Sequence, residues 1–306
     1  MKISVIGAGN VGSLTAMRLV QEGLGDVVLI DVVSGLAHGK ALDLEDARPL
    51  LKYNYNIKGS QDIADIKDSG LVIITAGLAR KPGMTREELL AKNSSILKDI
   101  CLKIKELAKS AIVLVVTNPL DIMTYYALKA TGFKSNKVFG MGVSLDSARF
   151  TNIISQELNI PNTDIEAMVI GSHGEGMLPL AGLAKVKGVP LDEFIDEAKS
   201  ASLVKRTIGR GAEIVANLGT GSAFFAPSAA ILAITRAIVK DEKKTIPVCA
   251  YLNGEYGIKD SCIGVPCRLG KNGIDAIIEL DLEKQLKDKL VISANSVRES
   301  AQQLGF

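Results

Sequence analysis

The chain of 306 residues has no tryptophan, only two histidines, and four cysteines with no CxxC pair. Two histidines, His38 and His173, exclude a multi-histidine metal site, and no metal centre is expected. They also leave only two positions for an imidazole base that titrates near neutral pH. Four thiols (Cys101, Cys249, Cys262 and Cys267) in a chain this long do not make a disulfide framework, and they read as reduced packing residues of a cytoplasmic protein. Cys262 and Cys267 are five apart, which places them on opposite faces of a strand. No uncharged apolar run reaches membrane-spanning length; the longest, Ala223–Ile234, is short and contains Pro227. The formal net charge of +2 leaves no footprint for nucleic acid or an anionic membrane surface. The opening MKISVIGAG already reads as a strand, so no signal peptide is expected. There is no internal repeat and no low-complexity linker.

What is present is an ordinary globular composition, 47% hydrophobic and 23% charged, long enough for one large domain or two with ample core. The first dozen residues organise the rest. Met1–Ile6 is a short run rich in apolar and β-branched residues, Gly7-Ala8-Gly9-Asn10-Val11-Gly12 follows at once, and Ser13–Val20 has helical apolar spacing. Strand, glycine turn and helix are the context in which GxGxxG points to a dinucleotide. Gly7 allows the sharp turn, Gly9 allows backbone to approach a pyrophosphate, and Gly12 allows close packing of helix on strand. N–H groups at the helix start would face the phosphates. A second strand, Val27–Ile30, ends at Asp31, nineteen residues after Gly12, where a ribose-binding carboxylate belongs. The same turn without a ligand is the plainer alternative.

Further along, Ser34–Leu50 is helical, with His38 as a surface or capping residue and Asp43, Glu45 and Asp46 on a solvated face. Ile57–Gly59, Leu71–Ala76, Ile112–Val116 and Val138–Gly140 read as strands, the longer ones as buried parallel strands. A loop, Gly77–Arg86, carries Arg80, Lys81 and Arg86 ahead of a helix that starts with the capping box Thr85-Arg86-Glu87-Glu88. Asn118 lies at a strand's carboxyl end, the edge where open α/β sheets bind ligands, and Pro119 starts the next helix. Residues 1–142 therefore give a Rossmann-type, doubly wound parallel sheet, and 143–306 an α+β catalytic and substrate-binding domain. In the second part, Ser144–Leu158 is helical and carries Asp146 and Arg149 on one face, a spacing that an ordinary surface ion pair would also meet. Met168–Ile170 is a strand, followed by His173 in the glycine-rich Gly171–Gly176. Asp192–Asn217 and Ala226–Lys240 are helical, antiparallel strands fall between Ile246 and Ile278, and Leu282–Leu304 is a closing amphipathic helix.

Across essentially its whole length the chain resembles the malate dehydrogenases of the lactate dehydrogenase-like family. The residues that carry this are GAGNVG at Gly7–Gly12, Asp31, GKALDL at Gly39–Leu44, ARKPGMTR at Ala79–Arg86 and TNPLD at Thr117–Asp121. LDSARF at Leu145–Phe150, GSHGEG at Gly171–Gly176, GSAFFAPSAA at Gly221–Ala230 and GEYGIKD at Gly254–Asp260 continue the series in the same order. The family usually has Asp-Thr after the His-Gly pair, where this chain has Glu175-Gly176, and glycine or glutamate where it has Ser172.

The resemblance implies NAD as cofactor, a dicarboxylate substrate (malate or oxaloacetate) and a place in the tricarboxylic acid cycle. His173 would be the acid–base group and Asp146 its orienting partner. Arg149 would grip the C1 carboxylate, Asn118 would hydrogen-bond the reacting oxygen, Arg86 would polarise the carbonyl, and Arg80 would bind the second carboxylate. Gly7, Gly9, Asn10, Val11, Gly12, Asp31, Asn93, Val116, Thr117 and Asn118 would contact the cofactor. A homo-oligomer, dimer or tetramer, is also implied. Two alternatives stand beside this reading. One is a lactate dehydrogenase, which in this family usually has glutamine at the position of Arg80. The other is a catalytically silent NAD-binding sensor or scaffold, which would be expected to have lost His173, Asp146 or an arginine.

Overall fold

The structure, a computed structural model, describes residues 1–78 and 85–304. It opens with strand β1 (Lys2–Ile6) and helix α1 (Asn10–Gln21), joined directly by the glycine turn. The helix begins three residues ahead of Ser13, because Gly9 already stands in extended conformation as its N-cap. It buries Gly12, Thr15, Ala16, Leu19 and Val20, a single face at helical spacing.

Five further strands complete the first sheet: β2 (Asp26–Ile30), β3 (Ile57–Ser60), β4 (Leu71–Ile74), β5 (Ile112–Val115) and β6 (Val138–Gly140). Between them run α2 (Leu36–Leu51), α3 (Arg86–Leu107) and α4 (Leu120–Thr131). The order is β3-β2-β1-β4-β5-β6, all parallel. Period-two alternation divides the core cleanly. Val5, Leu29, Ile73 and Leu114 pack into one layer, and Ile6, Ile30, Ile74 and Val115 into the other. Both faces are covered, which is why these strands read as unbroken apolar runs. The capping box forms as the sequence predicts: Thr85 Oγ1 accepts from the Glu88 N–H, and the Glu88 carboxylate accepts from the Thr85 N–H. His38 and the acidic residues Asp43, Glu45 and Asp46 are exposed on α2.

The second half contains α5 (Val143–Leu158), β7 (Ile165–Glu166), β8 (Val169–Gly171), β9 (Met177–Pro179), β10 (Lys185–Val186) and β11 (Val189–Pro190). It continues with α6 (Glu197–Leu218), α7 (Phe225–Val239), β12 (Lys244–Asn253), β13 (Lys259–Gly270), β14 (Gly273–Ile277) and α8 (Lys284–Gln302). The antiparallel meander β12-β13-β14 stands where the sequence places antiparallel strands. It is not a separate sheet. Cys249 of β12 pairs with Gly140 of β6, and β13 pairs with β8, so one sheet of eleven strands spans both halves. A Cβ at Gly140 would lie 2.4 Å from Thr124 Oγ1 and 2.8 Å from Leu120 Cδ2, so the absence of a side chain there lets α4 pack against the end of β6. All four cysteines are buried and free. Among the described residues no helix is long and apolar enough to cross a membrane.

Candidate active site

The glycine turn is held from behind and open in front. Gly7 has φ +105°, which glycine alone adopts readily, and a Cβ there would strike Ala76 N at 2.7 Å. A Cβ on Gly12 would sit 1.8 Å from the Gly7 carbonyl oxygen, so helix and strand pack as closely as the backbone allows. Gly9 is the opposite case: nothing lies within 4 Å of its Cβ position. The first N–H groups of α1 have no intrahelical acceptor, and no side chain caps that end. An open glycine at an uncapped helix start is a cradle for a diphosphate, so the residues present fit a dinucleotide. Thr75 Oγ1 donates to the turn's carbonyls at 3.0–3.1 Å, and Lys40 Nζ donates to the Ala8 carbonyl at 2.7 Å and to Ser13 Oγ at 3.0 Å. These bonds tie the lysine of GKALDL to the glycine turn, a link invisible in its spacing.

Asp31 follows β2 beside this turn. Its carboxylate accepts from the Ala8 N–H at 2.6 Å and from the Val33 N–H at 2.9 Å. It therefore shapes the turn as well as standing where a ribose-binding acid is expected. Asn93, buried in α3, spends its amide on the backbone: Oδ1 accepts from the Leu78 N–H, and Nδ2 donates to the carbonyls of Leu78 and Asn118. Thr117 Oγ1 donates to the Ala76 carbonyl at 2.6 Å. Asn93 and Thr117 thus brace the strand ends, with Val116 half-buried between Val115 and Thr117.

His173 sits in the five-residue loop between β8 and β9 and lines a cleft of about 1040 Å³. Asn118, Ile122 and Leu178 share the lining with it, as do Glu87, Leu89 and Leu90 of α3 and a face of α8. Its Nδ1 lies 2.7 Å from Asp146 Oδ2 on α5. Its backbone N–H donates to Asp121 Oδ2 on α4 at 2.8 Å. Nδ1 is taken by the carboxylate, so Nε2 is the ring nitrogen left for proton exchange. Asp146 is fully buried and also accepts from Arg149 Nη1 at 3.1 Å. The Asp146–Arg149 pair is thus an interior one, and the reading of it as a surface pair does not hold. Arg149 packs where α6 lacks a side chain at Gly211, and its Nε is buried without a hydrogen-bond partner among the described residues. Among the predicted site residues, Asn118 and His173 line the cleft, whereas Asp146 and Arg149 do not and are tied to the imidazole, Asp146 directly and Arg149 through Asp146. Arg80 lies outside the described residues, as does the side chain of Arg86, which is the first residue of α3.

Burial alone would depress the His173 pKa. The charge and hydrogen bond of Asp146, joined by the charge of Asp121, outweigh burial and the repulsion of Arg149, so the imidazole ends above its usual range. Asp121 is itself pushed up by burial, against the pull of Cys249 and His173. In the sequence Asp121 stands out only as the last residue of TNPLD. The one available signal was an acid inside an otherwise apolar helical run.

A parallel 3-2-1-4-5-6 sheet with a glycine cradle, joined to a buried Asp–His pair at the strands' carboxyl edge, defines a dinucleotide-dependent dehydrogenase. Residues 1–140 match the NAD-binding domain of lactate/malate dehydrogenase, and residues 143–304 match the alpha/beta C-terminal domain of the same proteins. The chain belongs to the lactate/malate dehydrogenase family. It is 50% identical to the malate dehydrogenase of Methanosarcina acetivorans over 305 residues, covering 100% of this chain and 99% of that one. The structure of malate dehydrogenase from Salinibacter ruber superposes with a TM-score of 0.95 at 40% identity, covering 100% of this chain and 98% of the other. The lactate dehydrogenase of Cryptosporidium parvum, in complex with lactic acid and NAD, superposes with a TM-score of 0.96 at 38% identity, covering 99% and 98%.

Proposed function

We propose that the chain is an NAD-dependent malate dehydrogenase that interconverts (S)-malate and oxaloacetate. The observation that carries this is the buried Asp146–His173 pair facing a cleft shared with Asn118. In malate oxidation, Nε2 of His173 accepts the hydroxyl proton. The Asp146 carboxylate fixes the tautomer and stabilises the imidazolium that forms. A bound nicotinamide supplies the acceptor for the hydrogen that leaves carbon with its electron pair. Asn118 holds the reacting oxygen, and Arg149, joined to the imidazole through Asp146, is assigned the C1 carboxylate. Arg86 polarises the carbonyl. Gly7, Gly9, Asn10, Val11, Gly12 and Asp31 hold the dinucleotide, with Asn93, Val116 and Thr117 at its nicotinamide end. The division into a cofactor half and a catalytic half falls at Gly142.

The fold is equally close to lactate and malate dehydrogenases, so substrate choice rests on Arg80. Oxaloacetate brings it a carboxylate, whereas pyruvate brings a methyl group. Removing one partner of a desolvated ion pair costs about 3–5 kcal/mol, a preference of roughly two to four orders of magnitude. Initial rates with NADH against oxaloacetate, pyruvate and 2-oxoglutarate test the assignment, with oxaloacetate expected to be fastest by that margin. Arg80→Gln is expected to lower the oxaloacetate-to-pyruvate efficiency ratio, and an unchanged ratio would remove Arg80 as the discriminator.

The interconversion is the one the tricarboxylic acid cycle requires, and the free, buried thiols suit a reducing cytoplasm. A homo-oligomer, dimer or tetramer, completes the reading: α2 exposes Leu42, Leu50 and Leu51, apolar residues that a pairing helix would cover. Light scattering that gives the single-chain mass of 32.4 kDa at micromolar concentration would overturn this part.

A further inference from the structure

The geometry points to Ser293 of α8 as a positioning residue for the catalytic histidine, acting through Ser172 and Gly176, the residues that flank the His173-Gly174-Glu175 turn. This rests on His173 being the acid–base group. Ser293 Oγ accepts from the Ser172 N–H at 3.3 Å and lies 2.8 Å from Ser172 Oγ and 3.3 Å from the Gly176 carbonyl oxygen. Its single proton can go to either of those acceptors. One buried hydroxyl therefore clasps both ends of the loop.

The loop is closed at its base by the pairing of Gly171 with Met177 and by the Met177 N–H donating to the Gly174 carbonyl at 3.2 Å, and the clasp adds a tie from outside that hairpin. Gly171 and Gly174 have φ of +92° and +124°, a region where glycine moves at little cost. Two anchors act on His173 itself, Asp121 on its N–H and Asp146 on its ring. Neither fixes the loop's flanks. Ser293 is the third anchor, and it comes from a third helix, 121 residues from Ser172 in sequence.

The clasp also accounts for two of the three departing positions, Ser172 and Gly176, and nothing among the described residues explains Glu175. A Cβ at Gly176 would lie 2.3 Å from Ser172 Oγ and 2.7 Å from Ser293 Oγ. The two hydroxyls occupy the space in which a threonine side chain at 176 would begin. Ser172, Gly176 and Ser293 form one adapted set: the side chain is absent at 176 because hydroxyls arrive from 172 and 293.

The test is a mutant cycle on the full-length enzyme, read as kcat, KM for malate and NADH affinity by fluorescence. Ser293→Ala is expected to lower kcat about three- to tenfold with KM and NADH affinity held within about twofold, since ring placement and not ligand binding is disturbed. Gly176→Ala is expected to cost at least about tenfold in kcat in the native background and under about twofold in a Ser172→Gly/Ser293→Ala background. Should Gly176→Ala fail to fold alone, removing the two hydroxyls is expected to restore soluble, NADH-binding protein. An equal cost in both backgrounds, no restoration of folding, or native kcat in Ser293→Ala would each overturn the clasp. His173→Asn measured alongside separates the levels. If turnover survives there, the acid–base reading falls and this inference with it. If turnover is lost there while Ser293→Ala is unaffected, only the role of Ser293 falls.

Discussion

The two parts of the proposed site, a cofactor end and a catalytic end, are built in opposite ways. The cofactor end is made of contiguous backbone: Gly7 to Gly12 turn, open and start a helix within six residues, with Asp31 close by. The catalytic end is made of side chains and backbone groups gathered from distant elements. His173 meets Asp146 across 27 residues and Asp121 across 52. A site of the first kind tolerates change where space is open and fails where backbone touches backbone. A site of the second kind depends on whether the elements that carry its side chains hold their relative places.

The sharpest break in the comparison is His173→Asn. No other imidazole is within reach, since His38 is exposed on α2 in the other half. Turnover should fall by roughly two to four orders of magnitude while NADH still binds, because the cofactor end shares no side chain with the loop. Rapid kinetics with fluorescence titration of NADH checks both parts.

Within the cofactor end, Gly12→Ala and Gly9→Ala should separate packing from binding. A methyl group 1.8 Å from the Gly7 carbonyl oxygen cannot be accommodated, so Gly12→Ala is expected to lose more than about 4 kcal/mol of stability in denaturant unfolding. The Asp31 carboxylate should repel the extra phosphate of NADP, giving a preference for NAD of about a hundredfold or more in efficiency. Equal efficiencies would remove that role from Asp31. The smallest effect belongs to Gly9→Ala, whose methyl group meets no protein atom. NADH affinity should weaken about tenfold with the unfolding midpoint unchanged.

The same contrast explains what the sequence disclosed. Strands such as Leu71–Ile74 and Ile112–Val115 are buried on both faces, so their apolar runs stand out between turns. The glycine turn is legible because each glycine has a local steric reason. The two-residue strands β7, β10 and β11 were missed, since two residues cannot display a period. The continuity of the sheet through Cys249 and Gly140 was also missed, because the single pairing carries no sequence pattern. At the catalytic end, chemistry and resemblance singled out His173, Asp146 and Arg149, and the structure brings those three together. Asp121 and Ser293 went unnoticed. An acid in the first turn of a helix reads as a dipole partner, and a serine in an amphipathic helix reads as its polar face. Only packing buries the first beneath the histidine loop and turns the second toward it.

The central claim is that Asp146 holds His173 above its ordinary range so that it can carry the proton at the reacting oxygen. Malate oxidation needs the neutral imidazole, so kcat/KM for malate should fall as pH drops through the His173 pKa. In the native enzyme that midpoint is expected above the usual histidine value of about 6.5, because Asp146 and Asp121 outweigh burial. Asp146→Asn removes the larger of the two charges that raise it, leaving Asp121 alone against burial and Arg149. The most direct measurement is the pH profile of kcat/KM for malate in native enzyme and Asp146→Asn. The account predicts a lower maximum and a midpoint displaced to more acidic pH in the variant. A midpoint that stays in place, or moves upward, would contradict it.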